Sequence, residues 1–174
     1  WRRRGDGGDG SGTGFAFARY KNLASYCAVA MEVRVDRDSG EIHVPRVVAA
    51  VDSGEAVNPD GIRNQIECGI VQSLSWTTRE AVGFDKTHRT SFDWSGYPIL
   101  RFPSVPGRID VEVVDRPNQP FLGAGEAAQG PASAALANAV AHALGRRLRD
   151  MPLSPERVKA ALRPVPVVTK QAAG

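Results

Sequence analysis

The stretch Tyr26 to Val51, YCAVAMEVRVDRDSGEIHVPRVVAAV, decides the architecture. In its first half Val29, Met31, Val33 and Val35 alternate with Ala28, Ala30, Glu32 and Arg34. A period of two belongs to a strand with one buried face. Cys27 falls in phase with the apolar set and reads as a small buried hydrophobe. Asp36 to Glu41, DRDSGE, supplies the Asp and Gly of a hairpin turn. Ile42 to Val51 is then the antiparallel partner, with Pro45 marking an edge or a bulge.

Toward the C-terminus the period changes. Asn58-Pro59 is a helix start, a capping side chain followed by proline at the first helical position. Ile62, Ile66, Ile70 and Leu74 recur every four residues, which places an apolar stripe against the sheet and carries the helix to near Glu80. Gln65 and Gln72 share a second face, near Gly69. An unpaired buried amide costs roughly 1–3 kcal/mol, so that face either meets a partner or is solvated.

Gly83 to Pro106 is loop-rich and aromatic, with Phe84, Phe92, Trp94, Tyr97 and Phe102. Packing of this loop onto the body is the expectation, and stacking on a planar substrate the alternative. Ile109 to Asp115 is another strand, Ala132 to Arg149 a helix, and Ser154-Pro155 opens a short last helix. The order of elements has no strict βαβ rhythm, so the fold class is α+β, a mixed sheet with packed helices. A flexible Gly-rich start (1–13), one domain (14–163) and a loose tail (164–174) are expected.

A chain of 174 residues has room for one ordinary core. Its 22 basic and 19 acidic residues leave a charge of +3. The basic clusters, Arg2 to Arg4 and GRRLRD at Gly145 to Asp150, read as solvated surface or subunit contact, because no nucleic-acid-binding motif accompanies them. Cys27 and Cys68 form no CxxC pair, which disfavours a zinc site, an iron–sulfur cluster bound by this chain alone, or a disulfide scaffold. His43, His88 and His142 lack metal-ligand spacing and read as ordinary surface or loop residues. No apolar run is long enough to span a membrane.

The chemistry is concentrated in Pro120 to Pro131, PFLGAGEAAQGP. Glu126 follows Gly123-Ala124-Gly125, where missing side chains let something bulky approach the backbone. It also precedes an Ala-rich helix, so it is either a carboxylate aimed by a rigid scaffold or an ordinary acid at a helix start. A dinucleotide-binding reading is disfavoured because Gly130 is misplaced for a third glycine.

The segments AVDSGEAVNPDGIRNQIECGIVQSLSW, YPILRFPSVP and GAGEAAQGP, in this order, resemble the C-terminal part of the molybdopterin-binding subunit of the xanthine dehydrogenase/aldehyde oxidase family, most of all its isoquinoline 1-oxidoreductase and nicotinate dehydrogenase type. The resemblance covers about Gly14 to Leu162. It implies an enzyme that hydroxylates an aldehyde or N-heteroaromatic carbon with oxygen from water, at molybdenum held by a molybdopterin, in the cytosine dinucleotide form. It implies Glu126 as the general base. Gln65 would hydrogen-bond the cofactor, with Gly69, Gly123, Ala124 and Gly125 beside it. Cys68, Ser73 and Ser53 depart from the family pattern, and Cys68 adds bulk at the cofactor face.

The implied partners are earlier molybdenum-binding domains, a subunit carrying iron–sulfur clusters, and a small aldehyde or heteroaromatic substrate. The resemblance further implies a cytoplasmic location, or a periplasmic one if the full-length protein carries an export signal. On this reading the chain is a fragment, a separately encoded piece or a truncated reading frame, and does no chemistry alone. The competing reading is a non-catalytic assembly module that binds no cofactor.

Overall fold

The alternation at Val29 to Val35 becomes the middle of a four-stranded sheet. In the computed structural model, which describes residues 5–163, the strands are β1 (Ser11–Arg19), β2 (Tyr26–Val35), β3 (Ile42–Asp52) and β4 (Ile109–Val113), lying side by side in that order. The first two pairings are antiparallel and β3–β4 is parallel. The expected hairpin and mixed α+β sheet are therefore present. The tail from Pro164 lies outside the described residues.

Pro45 sits at a bulge. Glu32 pairs with Arg46 and Arg34 with His43, so Val44 and Pro45 together oppose Val33. The extra residue shifts the phase of β3. Val44 and Val47 are both buried although three apart, and alternation then resumes through Ala49 and Val51.

Helix α1 (Pro59–Thr78) begins where the Asn58 side chain accepts from the Gly61 N–H. It makes the crossover between parallel β3 and β4, one βαβ unit in an otherwise irregular order. It ends at Thr78, just short of Glu80, with Arg79 as its C-cap. Ile66, Ile70 and Leu74 enter the core with Val29, Met31, Val47 and Leu136, while Ile62 is half-buried at its margin. Full burial of each large apolar side chain contributes about 1.5–3 kcal/mol.

Helix α2 (Gln129–Leu144) starts three residues earlier than the sequence suggests and stops five before Arg149. Gly145 ends it with φ 66°, a left-handed cap that interrupts the helix whatever follows. The short α3 (Pro155–Leu162), capped by Ser154, contributes Val158 to the core.

Strand β1 reaches back to Ser11, into the glycine-rich stretch. A Cβ on Gly12 or Gly14 would overlap α2 backbone at Ala135, Ala139 and Ala143. Strand and helix therefore touch backbone to backbone at these two glycines, with alanine side chains beside them. His142 is part of this seam: its Nδ1 accepts from the Thr13 N–H at 3.0 Å. The expectation of an ordinary surface histidine gives way to a structural one.

The helices α1 and α2 cover one face of the sheet. On the other, Phe15 pairs across to Ala30 and Val48, and Phe17 to Ala28 and Ala50. Phe15, Phe17 and Val48 are exposed there. Phe84, Phe92, Trp94 and Phe102 of the long loop are exposed as well. The expected packing onto the body does not occur for these four rings, whereas Tyr97 is half-buried and donates to Glu80 at 2.8 Å. Their segment has no regular element beyond one 3-10 turn, and Phe92 is flanked by the guanidinium of Arg89, a residue of the same loop, 5.4 Å from the ring centre.

Candidate functional site

Parallel strands β3 and β4 end together at Asp52 and Val113, and the chain leaves both into loops stitched to each other. Asp52 accepts from the Gly54 N–H at 3.0 Å and pairs with Arg116 at 3.1 Å. Asp115 accepts from the Ala56 N–H, and Glu55 from the Asn118 N–H, each at 3.1 Å. The Leu122 N–H donates to the Ser53 carbonyl at 2.9 Å. Gly54 lies so close to Pro120 that a Cβ would overlap its carbonyl. These contacts fix where Pro120 to Gly125 can run. Ligands of parallel-sheet folds commonly bind at such carboxyl ends of strands.

Opposite this loop stands the first half of α1. Between Val57, Ile62 and Gln65 on one side and Phe121, Gly123 and Gly125 on the other opens a cleft of about 490 Å³. The Gln65 amide donates to the Gly125 carbonyl at 3.3 Å. One helical repeat on, Gln72 accepts from Gln129 at 2.9 Å. Thus the polar face of α1 meets a partner, the start of α2.

Glu126 is exposed in the turn before α2. The first turn of that helix contains no acid, and its N-cap position, Ala128, makes no side-chain cap. Glu126 lies three residues before that helix, and its carboxylate caps none of the helix N–H groups among the described residues. Its carboxylate accepts from the hydroxyl of Tyr20, which lies in the turn between β1 and β2. That bond, followed by desolvation and the negative charge of Glu126, holds the Tyr20 phenol above its ordinary value.

Gly123 adopts φ +74° with nothing within 4 Å of a would-be Cβ. The backbone N–H groups of Gly123 to Glu126 donate to no group among the described residues. A run of free N–H groups beside unfilled space suits a large anionic ligand.

Of the expected cofactor residues, Gln65, Gly123, Ala124 and Gly125 line this cleft, and Glu126 follows directly. Gly69 does not join them. It is buried, and a Cβ there would sit 3.4 Å from the Ala128 methyl, so its surroundings are the α1–α2 contact. Ser73 belongs to the same contact, its hydroxyl 2.6 Å from the Gly69 carbonyl and 3.1 Å from that of Gln129. Cys68 is exposed. Sequence reasoning missed Tyr20 and Gly54. Tyr20 sits in a break between strands, where no period marks it, and Gly54 reads as an ordinary turn glycine.

A mixed sheet that presents an amide, free backbone donors and one carboxylate at its parallel strand ends defines a cofactor-binding segment. Residues 5–106 match the family model of the molybdopterin cofactor-binding domain. The chain belongs to that family, within the xanthine dehydrogenase/aldehyde oxidase group whose motifs it resembles. It is 45% identical over 157 residues to a nicotinate dehydrogenase component of Pseudomonas putida, covering 87% of this chain and 13% of that protein. To the beta component of isoquinoline 1-oxidoreductase from Brevundimonas diminuta it is 35% identical over 156 residues, covering 89% and 20%. The crystal structure of quinoline 2-oxidoreductase from Pseudomonas putida 86 superposes with a TM-score of 0.74 at 27% identity, over 79% of this chain and 18% of that one. The chain thus spans a fifth or less of the length of these relatives. Among the described residues no helix is long and apolar enough to cross a membrane.

Proposed function

We propose that this chain is the C-terminal portion of a molybdenum hydroxylase acting on an aldehyde or N-heteroaromatic carbon, with Glu126 as its general base. The carrying observation is that Gln65 and the Glu126 loop, sixty residues apart in sequence, meet at one cleft. The residues there fit a molybdopterin. Gln65 offers an amide, Gly123 to Glu126 offer free N–H groups, and the glycines leave room. No cluster of three or more metal-ligating side chains occurs among the described residues, so a metal at this face would be held by an organic ligand.

When bound, the cofactor supplies a two-electron acceptor and a Lewis acid that acidifies water. Glu126 would accept a proton from water at this face as a general base. Gln65 orients the cofactor, and the stitched loops around Gly54 hold the base in reach. The cytosine dinucleotide form of the cofactor, an iron–sulfur partner subunit, the remaining molybdenum-binding domains and a cytoplasmic location complete the proposal, all on the strength of the family resemblance. The exposed aromatics of the long loop also support a second reading, an assembly module. Molybdenum in the complex formed with the upstream domains favours the enzyme, and its absence favours the module.

The direct test is Glu126→Gln in the assembled enzyme. Gln keeps the shape but cannot take a proton, so kcat falls by about 10²–10⁴-fold while molybdenum content and KM hold. Glu126→Asp falls between. Near-normal turnover in the Gln variant at full molybdenum content overturns the assignment.

A further inference from the structure

We propose that Tyr20 is a positioning residue for Glu126. Its phenol, carried on a clamped turn, donates to one carboxylate oxygen and holds the base in a single orientation. This rests on the reading of Glu126 as the base and adds a residue that the motif around it does not contain.

The turn is built to hold that phenol. Arg19 folds back over it, donating from Nη2 to the Leu23 carbonyl at 3.1 Å and from Nε to that of Ala24 at 3.3 Å. The Tyr20 N–H donates to the Ser25 carbonyl and the Ala24 N–H to the Tyr20 carbonyl, both at 2.9 Å. Lys21 and Asn22 both adopt positive φ, 50° and 59°. Two successive non-glycine residues in the left-handed region mark a backbone shape kept by its surroundings at some cost. The Lys21 ammonium lies 5.2 Å from the centre of the Tyr20 ring.

Glu126 needs such a partner. It sits on a loop softened by Gly123 and Gly125, and its side chain is exposed. Tyr20 Oη donates to its Oε2, and no other side chain or backbone group among the described residues donates to the carboxylate. Oε1 is thereby left for the proton. A base held in one orientation reacts faster than one that samples many, because misplacement by about 1 Å can cost 10²-fold. The phenol is kept protonated, and so able to donate, until pH rises through its raised value.

Two measurements on the assembled enzyme test this. Tyr20→Phe lowers kcat by about 10-fold to 100-fold, with KM within about twofold and molybdenum content unchanged. Tyrosinate absorbance after a stopped-flow pH jump, compared between the wild-type enzyme and Glu126→Gln, shows one tyrosine titrating at lower pH in the variant. A merely structural role for Tyr20 would lower molybdenum content or stability in Tyr20→Phe, with no selective loss of kcat in the loaded enzyme. Normal kcat in Tyr20→Phe, or no tyrosine moved by Glu126→Gln, overturns the proposal. If Tyr20→Phe does not fold, the titration decides by itself. Should Glu126→Gln turn over normally, it is the base assignment that fails. Should it be inactive while Tyr20→Phe is normal, only the positioning role falls.

Discussion

Along the body of α2, Gly12 and Gly14 of β1 lie flush against helix backbone, whereas around its N-terminal end Gly123 and Gly130 face nothing within 4 Å. Both regions are rich in small residues, and in a sequence they look alike. In the first, absent side chains let two elements close on each other. In the second, they leave space that this chain does not fill. Small residues therefore mark close approach of the protein's own helix in one place and, on the proposed reading, room for a cofactor in the other.

Substitution separates the two. Gly14→Ala has the largest expected effect, because the new methyl would overlap the Ala135 carbonyl and the Ala139 backbone. Neither can yield without moving α2, so stability falls by about 3 kcal/mol or more, read by denaturant unfolding of the assembled protein. A stable Gly14→Ala protein would mean that the seam is not as close as described. Gly125→Ala comes next. Its methyl would rest 3.9 Å from the Gln65 amide, an ordinary contact, so stability changes by less than about 0.5 kcal/mol. On the proposed reading the methyl takes up cofactor space, so molybdenum content, measured by mass spectrometry, nonetheless drops. Unchanged molybdenum would erase the distinction between the regions. Gly130→Ala has the smallest effect. The residue is exposed with open space around it, but it lies in the first turn of α2 directly before Pro131. There proline disfavours the helical region for a residue with a Cβ and offsets the gain in helix propensity, so stability changes by less than about 0.5 kcal/mol and cofactor content is left alone.

The contrast also explains how much could be read from the sequence. The hairpin was legible because Val29 to Val35 announce burial every second residue, and α1 because Asn58-Pro59 and the isoleucines announce a start and a period. Strand β1 was not fully legible: at Gly12 and Gly14 the buried positions have no side chain, and a period cannot be counted in hydrogens. The ends of α2 were displaced for a related reason, since alanine favours helix without saying where one stops, and the left-handed cap at Gly145 decides it. Among site residues, Gln65 and Glu126 stood out through their motifs. Their meeting at one cleft depends on the β3–β4 pairing, a long-range property. Tyr20 came from a third segment that neither motif contains. Gly69, by contrast, has its motif neighbours but faces Ala128 rather than the cleft.

The seam between β1 and α2 joins residues about 120 positions apart, and this sets a timetable. At translation rates of about 5–20 residues per second, roughly ten seconds pass between synthesis of Gly14 and of Ala139. Through that interval β1 can zip onto β2, but its glycine face has nothing to lie against. When α2 finally emerges and docks, it draws the segment just ahead of it, Gly123 to Ala128, to the end of the sheet. The same event brings Glu126 beside Tyr20, a residue made near the start. Leu153 and Val158, made later still, then close the core, after the Glu126 loop has already been brought to the end of the sheet.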